Sequence, residues 1–355
     1  MPLTTLEVDL LHIIWPRLPS HNLRRDDYEH LLNYLRFEFK HLAAPTALPI
    51  TDAMRYLVHL QANVAEPQAT ALEVLRTQLR KSPSHSVNDI GRFAEFLAKA
   101  WLTISVTISR PQALPWQASV VWNEGTLLEK AISNSFQRLK TAHHDGVSTP
   151  ESIPGHFTIP YLTKNYRWTV QWSDNLTEHL TLDWANKIVT IYQHKICLLN
   201  HLQYSQDCPI PQDVLEEALD TLNVLFPPSD IATQRYLGDQ GRLFHLLGYC
   251  NRDDYRDLEH YAYWRKNLRQ LLGELRDPPY GWRQLRLDEN RRNLKEFAMF
   301  WIAAVVAVAL AVGFGIASTY FAARGYDIAV AQYKLALAQA CSAPGANITL
   351  PEYCS

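Results

Sequence analysis

Residues 297–323 contain no charged side chain, and 300–312 read Phe-Trp-Ile-Ala-Ala-Val-Val-Ala-Val-Ala-Leu-Ala-Val. A helix needs roughly 20 predominantly apolar residues to cross a hydrocarbon core about 30 Å thick. The sequence therefore predicts one C-terminal transmembrane helix over 297–323. Arg276, Arg283, Arg286, Arg291, Arg292 and Lys295 precede the run, whereas only Arg324 and Lys334 follow it. Basic flanks resist translocation, which predicts a cytosolic N-terminal region and a luminal or extracellular tail over 324–355.

The N-terminus, Met1-Pro2-Leu3-Thr4-Thr5-Leu6-Glu7-Val8-Asp9, lacks the basic flank and unbroken apolar stretch of a signal peptide. The late span is expected to be the membrane signal and to insert post-translationally, in the manner of a tail anchor. Cys341 and Cys354 flank Pro344-Gly345 in the tail and suit a disulfide in an oxidising compartment, contributing about 2–3 kcal/mol for so short a loop. Between them Asn347-Ile348-Thr349 is a glycosylation acceptor pattern. These features place the protein on the secretory pathway, at the endoplasmic reticulum or plasma membrane.

The 355 residues carry a formal net charge of −2, without the basic stripe of a nucleic-acid binder. Tyr28, Leu31, Leu32, Leu35, Phe39 and Leu42 recur at helical spacing, as do Leu72, Leu75 and Leu79, and Ile90, Phe93, Leu97 and Trp101. Asp52 is expected to cap a helix running to Leu60. Thr126 and Glu129 fit a capping box ahead of Leu128, Ile132 and Phe136. A turn-rich segment, 143–156, separates this helical region (1–142) from 157–276.

In the second region Trp168, Val170 and Trp172 alternate, and 188–192 are β-branched and aromatic, so both stretches predict strands. Asn175 and Glu178 suit a capping box between them. Pro211 suits a first helical position, with Leu215, Leu219, Leu222 and Phe226 behind it. A long helix is expected over 255–275, and 277–296 form a basic juxtamembrane segment. The expected fold is mainly α with a small antiparallel β-sheet, plus the membrane helix.

Taken in order, Phe157-Thr158-Ile159, the segment Trp172-Ser173-Asp174-Asn175-Leu176-Thr177-Glu178-His179-Leu180, Ile191-Tyr192-Gln193-His194-Lys195, 257–265, and the late Phe300-Trp301-Ile302-Ala303 run ending at Gly313-Phe314-Gly315 form a pattern. Over roughly residues 90–325 it resembles a broad group of uncharacterised single-pass membrane proteins of filamentous ascomycete fungi. A tryptophan-threonine-aspartate-asparagine-leucine segment is typical there; Ser173 stands at the threonine position. The helix at 90–101 departs further. The resemblance implies a fungal source and this architecture, and it carries no activity.

Candidate chemistry is sparse. His194, Cys197 and His201 fall on one face if helical, and with Cys208 would give zinc four ligands, although free cysteine is commonly buried as a small hydrophobe. Asp253, Asp254, Asp257, Glu259 and His260 cluster at a helix start, where acids ordinarily complement the helix dipole. Asp174 and Asn175 beside Trp172 read first as caps, and His143-His144-Asp145 as a solvated loop tip. Gly313-Phe314-Gly315 lies inside the span, without the preceding strand a dinucleotide site requires. Ala303, Ala307, Ala311, Gly315 and Thr319 recur every fourth residue, a spacing that lets membrane helices approach closely. Tyr326, Val330, Tyr333 and Leu337 share one face beyond the span.

The leading expectation is a non-enzymatic, membrane-tethered cytosolic interaction module. It would need no cofactor. Its partners would be the lipid bilayer, an unidentified cytosolic protein and a second copy through the span. The alternatives are a membrane-anchored enzyme with its site near the central sheet, and a receptor-like protein with a disulfide-closed outer tail.

Overall fold

The computed structural model describes residues 3–20, 23–42, 50–80, 90–108, 118–141, 152–205, 207–248, 256–275, 294–342 and 352. They fall into two compact units, Met1–Asp277 and Pro278–Ser355. The first is mainly helical with small sheets, and the second holds one long apolar helix.

The first unit opens on α1 (Thr5–Ile14), whose N-terminus is closed by a capping box. Thr4 Oγ1 accepts from the Glu7 amide at 3.3 Å, and Glu7 Oε2 accepts from the Thr4 amide at 2.8 Å. Glu7 is buried, and from α2 (Arg25–Leu42) it receives Arg25 at 3.3 Å and Arg36. Burial pushes its carboxyl up, but the Thr4 and Arg36 hydrogen bonds and the Arg25 charge outweigh this and hold it below the usual range. The acid that breaks the N-terminal apolar stretch is thus a structural anchor.

Next come α3 (Ile50–Arg55), α4 (Leu57–Ala62), α5 (Gln68–Arg80) and α6 (Ile90–Leu102). The helix expected to run to Leu60 breaks at Tyr56, and Asp52 lies inside α3, paired with Arg55 at 3.2 Å. α6 buries Phe93, Ala94, Phe96, Leu97, Ala98, Ala100, Trp101 and Leu102. Arg92, Glu95 and Lys99 fall on its one polar face; the wide apolar face belongs in the interior, and α2, α4 and α5 pack against the helix.

β1 (Val106–Thr107) pairs in parallel with β2 (Val120–Val121), ahead of α7 (Leu128–Thr141). Thr126 does not form the expected box with Glu129; its hydroxyl turns back to Asn123, accepting from the amide and donating to the carbonyl. After α8 (Ile159–Tyr166) come β3 (Thr169–Ser173), β4 (Leu182–Asp183) and β5 (Ile188–Tyr192), in the spatial order β3-β5-β4. The small sheet is present, but its pairing is mixed: β4 runs antiparallel to β5, and β3 parallel to it with Ser173 opposite Tyr192. A parallel pair needs a crossover of a dozen or more residues. Residues 174–187, with a 3₁₀ turn at Leu176–Glu178 and then β4, supply one.

The unit closes with α9 (Lys195–Tyr204), α10 (Gln212–Leu225), α11 (Ile231–Asp239) and α12 (Arg265–Glu274). In place of a long helix over 255–275 there is a 3₁₀ turn at Leu258–His260 followed by α12. The interruption has a specific cause. Glu217 of α10 is buried and accepts from the amides of Ala262, Tyr263 and Trp264 at 2.6–2.7 Å. A carboxylate from another helix therefore caps α12, whose own N-cap residue, Trp264, makes no side-chain cap bond.

In the second unit α13 spans Leu294–Cys341, 48 residues, and its apolar part has a mean hydropathy of 2.5. It is the one described helix long and apolar enough to cross a membrane. At 1.5 Å per residue it is about 72 Å long, against a core of about 30 Å. It thus outruns the expected 297–323 span and carries Tyr326, Val330, Tyr333 and Leu337 along as helix.

Glu217→Ala leaves three amides without their acceptor, at an expected cost of about 3 kcal/mol. Urea unfolding of the detergent-solubilised chain measures it; a loss below about 0.5 kcal/mol, the scale of a neutral surface change, contradicts the capping role.

Candidate functional site

Parallel pairing brings the carboxyl ends of β3 and β5 to one edge, so the residues that follow each strand meet there. The Gln193 amide donates to the Ser173 carbonyl at 3.1 Å. Asp174 Oδ1 then accepts from Gln193 Nε2, and from His194 Nε2 at 2.6 Å. His194 is buried, whereas the Asp174 side chain is 38% exposed, so the pair reaches solvent through its carboxylate. α2 supplies Tyr34, whose ring lies 5.5 Å from that of His194. The turn after α11 supplies Arg242, its guanidinium 5.2 Å over the Trp172 ring. A 2.8 Å contact between His30 Nε2 and the Gly241 carbonyl ties α2 to this turn.

Burial alone would raise the Asp174 carboxyl; hydrogen bonding to His194, the His194 charge, the Gln193 hydrogen bond and the Arg242 charge outweigh it and leave it below its ordinary value. Burial pulls His194 down, and Asp174 offsets this only in part. At neutral pH the pair is a carboxylate beside a neutral imidazole that donates through Nε2. Such a pair can orient a polar ligand or accept a proton.

The zinc grouping expected from spacing does not assemble. Cys197 and His201 lie in α9 and His194 is its N-cap residue, but seven residues separate the ends by about 10 Å, and each level meets different neighbours. Cys197 is buried, with its thiol pushed far up by burial and hydrogen-bonded to Tyr192. His201 Nε2 donates to the Trp101 carbonyl at 3.0 Å, and Nδ1 accepts from Trp15 Nε1 at 3.3 Å. Burial lowers this imidazole to about 4. Cys208 lies elsewhere, against the Ile210 backbone, its thiol raised by burial to about 12. Among the described residues no group of three or more His, Cys, Asp or Glu could hold a metal ion.

The other candidates disperse as well. Asp253, Asp254, His143, His144, Asp145, Asn347 and Cys354 lie outside the described residues. Asp257 caps the 3₁₀ turn through the Glu259 amide at 2.9 Å, and Glu259 pairs with Arg265 at 3.3 Å. Asn175 caps as expected, accepting from the Thr177 amide at 3.2 Å, and it also bonds Ser105 and Ala118. Glu178 closes no box on Asn175; it accepts from the Ser173 hydroxyl at 2.6 Å. Cys341 is disulfide-bonded, whereas Cys197 and Cys208 are free thiols.

His179 plays a role the spacing did not announce. It is buried; Nδ1 accepts from the Tyr192 amide at 3.2 Å, and Nε2 donates to Thr221 Oγ1 at 2.6 Å. The Thr221 hydroxyl in turn donates to the Ala218 carbonyl at 2.7 Å, and Trp264 Nε1 donates to the His179 carbonyl at 2.8 Å. One residue thereby joins β5 and α10 through its ring and the start of α12 through its carbonyl. Burial drops its pKa to about 3.

No family model, curated protein or solved structure matches this chain.

The buried imidazoles set a pH dependence. His179 and His201 bind protons in the unfolded chain near 6.5 and in the folded chain only near 3 and 4. The unfolded state therefore takes up more protons as pH falls through that window, and stability falls with it. The melting temperature should be flat above pH 7 and drop steadily from about 6.5 toward 4, less steeply in His179→Gln. A melting temperature that holds or rises from pH 7 to pH 5 contradicts neutral burial.

Proposed function

We propose that the protein is a membrane-tethered module whose large N-terminal unit faces the cytosol and works there by holding a partner at the membrane. The observation that carries this reading is the division of the chain into a compact unit, Met1–Asp277, and a separate unit built on one long apolar helix. The basic residues of 276–295 support the orientation. So does the cysteine chemistry: a bonded Cys341 beyond the span suits an oxidising compartment, and free Cys197 and Cys208 suit a reducing one. A disulfide from Cys341 to Cys354 and a glycan on Asn347 belong to the same reading.

The runner-up, a membrane-anchored enzyme, is favoured by one observation, the Asp174–His194 contact at the strand ends. Its zinc version loses support, because His194, Cys197 and His201 each engage separate partners.

Self-association through the span is part of the proposal. At Gly315 an added Cβ meets no atom within 4 Å, so the Ala303, Ala307, Ala311 and Gly315 face is open to a second helix. Gly315→Leu should weaken association in a membrane two-hybrid assay by about tenfold, a coupling of about 1.4 kcal/mol; unchanged association removes the idea.

Protease protection of microsomes carrying the full chain tests the topology. The reading expects the N-terminal unit to be digested without detergent and a tail fragment to survive, with a glycan shift that Asn347→Gln abolishes. A protected N-terminal unit would refute the orientation.

A further inference from the structure

We propose that the cavity between the end of α1, α4, α6 and the end of α9 binds an uncharged ring compound that carries a hydrogen-bond donor. The cavity has a volume of about 260 Å³. A void of about 150 Å³ holds benzene, so this one has room for two fused rings. Ile14 and Trp101, 1% and 3% exposed, form its innermost lining, and Pro16, Val58, Ala62 and Tyr204 complete the apolar surface. Pro16, Val58 and Ala62 are themselves exposed, so the mouth opens to solvent between them. Ligand sites have this character: a concave, mostly apolar and largely pre-formed space with a few placed polar groups.

His201 fixes the frame. Its Nε2 donates to the carbonyl of Trp101, and its Nδ1 accepts from Trp15, which stands between the lining residues Ile14 and Pro16. Ser205 Oγ, also part of the lining, lies 3.0 Å from the same Nδ1. One imidazole thus holds the walls from α1, α6 and α9 together. The wall from α4 is tied in separately, because Gln61 Nε2 donates to the Ile14 carbonyl at 3.2 Å. A cavity braced in this way spares a ligand the cost of ordering its site.

The same bonds set the polarity of the lining. A carbonyl only accepts, so His201 Nε2 carries the ring proton. Burial lowers this imidazole to about 4, which keeps Nδ1 unprotonated at neutral pH. Ser205 therefore directs its hydroxyl proton to Nδ1, and its remaining capacity is to accept. The Gln61 amide nitrogen is engaged by Ile14, which leaves Oε1 as the accepting end of that side chain. Arg17 and Asp207, the charged residues named in the lining, are both exposed and opposite in sign, so they call for no charge on a ligand. What fits is an apolar ring body with an N–H or O–H aimed at Ser205 Oγ.

The test uses the full-length chain in detergent at neutral pH. Indole is the probe, and N-methylindole, which keeps the rings and lacks the donor, is its control. Melting is followed by far-ultraviolet circular dichroism. Indole should raise the melting temperature saturably, and N-methylindole should need about tenfold more, the worth of one net hydrogen bond. Ser205→Ala keeps the His201 bonds to Trp15 and Trp101 and should bring the two midpoints together. Partition into detergent is common to wild type and variant, so it cannot produce that convergence. Ala62→Trp, at an exposed position, should fill the mouth and raise the indole midpoint several-fold. A wild type with no saturable response to indole, equal midpoints for the two probes, or a difference between them that survives Ser205→Ala would overturn the proposal. So would an indole midpoint unmoved by Ala62→Trp.

Discussion

The parallel register of β3 and β5 is the constraint on which the centre of the first unit depends. Ser173 opposite Tyr192 places Asp174 beside Gln193 and His194, and it starts α9 from the same edge. Moving one strand by one residue would reverse every side chain between its two faces. Val189 and Ile191 would leave the core, and His194 would lose its carboxylate. Thr103 shows how tightly this centre is determined. It is a buried β-branched residue at φ 51°, a conformation that costs energy. Its hydroxyl meets the Tyr192 phenol, and its carbonyl accepts from the Leu176 amide at 3.0 Å.

Around that centre a few buried polar groups tie together elements that the apolar core packs. His179 spans β5, α10 and α12; His201 spans α1, α6 and α9; Glu217 sets where α12 begins. Each is fully partnered at the bonds that matter, which makes such groups specific about arrangement and sensitive to protonation. The apolar stripes exclude water, and the histidines and Glu217 fix which helix sits where.

Much of this was legible in the sequence, and its boundary has physical reasons. Local periodicity located the cores of α2, α5 and α6, the strand β5 and the apolar part of α13, because burial repeats at 3.6 or 2 residues regardless of tertiary partners. Strand direction was not legible: alternation along Trp168, Val170 and Trp172 reads the same for either pairing. The true start of the expected 255–275 helix was hidden as well, since Glu217 interrupts it from some 45 residues away. Glu7 broke an apolar run and so argued against a signal peptide, yet Thr4 and Glu7 stand at capping-box spacing, a signal that could have located α1. Of His194, Cys197 and His201 only the last two lie in α9, and a spacing that extends over about 10 Å is not a shared site. The Asp174–His194 pair, twenty residues apart in sequence, left no local mark.

The claim at the centre of this account is that the strand ends hold a carboxylate beside a neutral imidazole. Nitrogen-15 chemical shifts of His194, assigned by comparison with His194→Gln in the full-length detergent-solubilised chain, test it most directly. At pH 7 the account predicts a protonated Nε2 and an unprotonated Nδ1, with the Nε2 signal shifting in Asp174→Asn. An imidazolium protonated at both nitrogens, or a proton on Nδ1 alone, would contradict it.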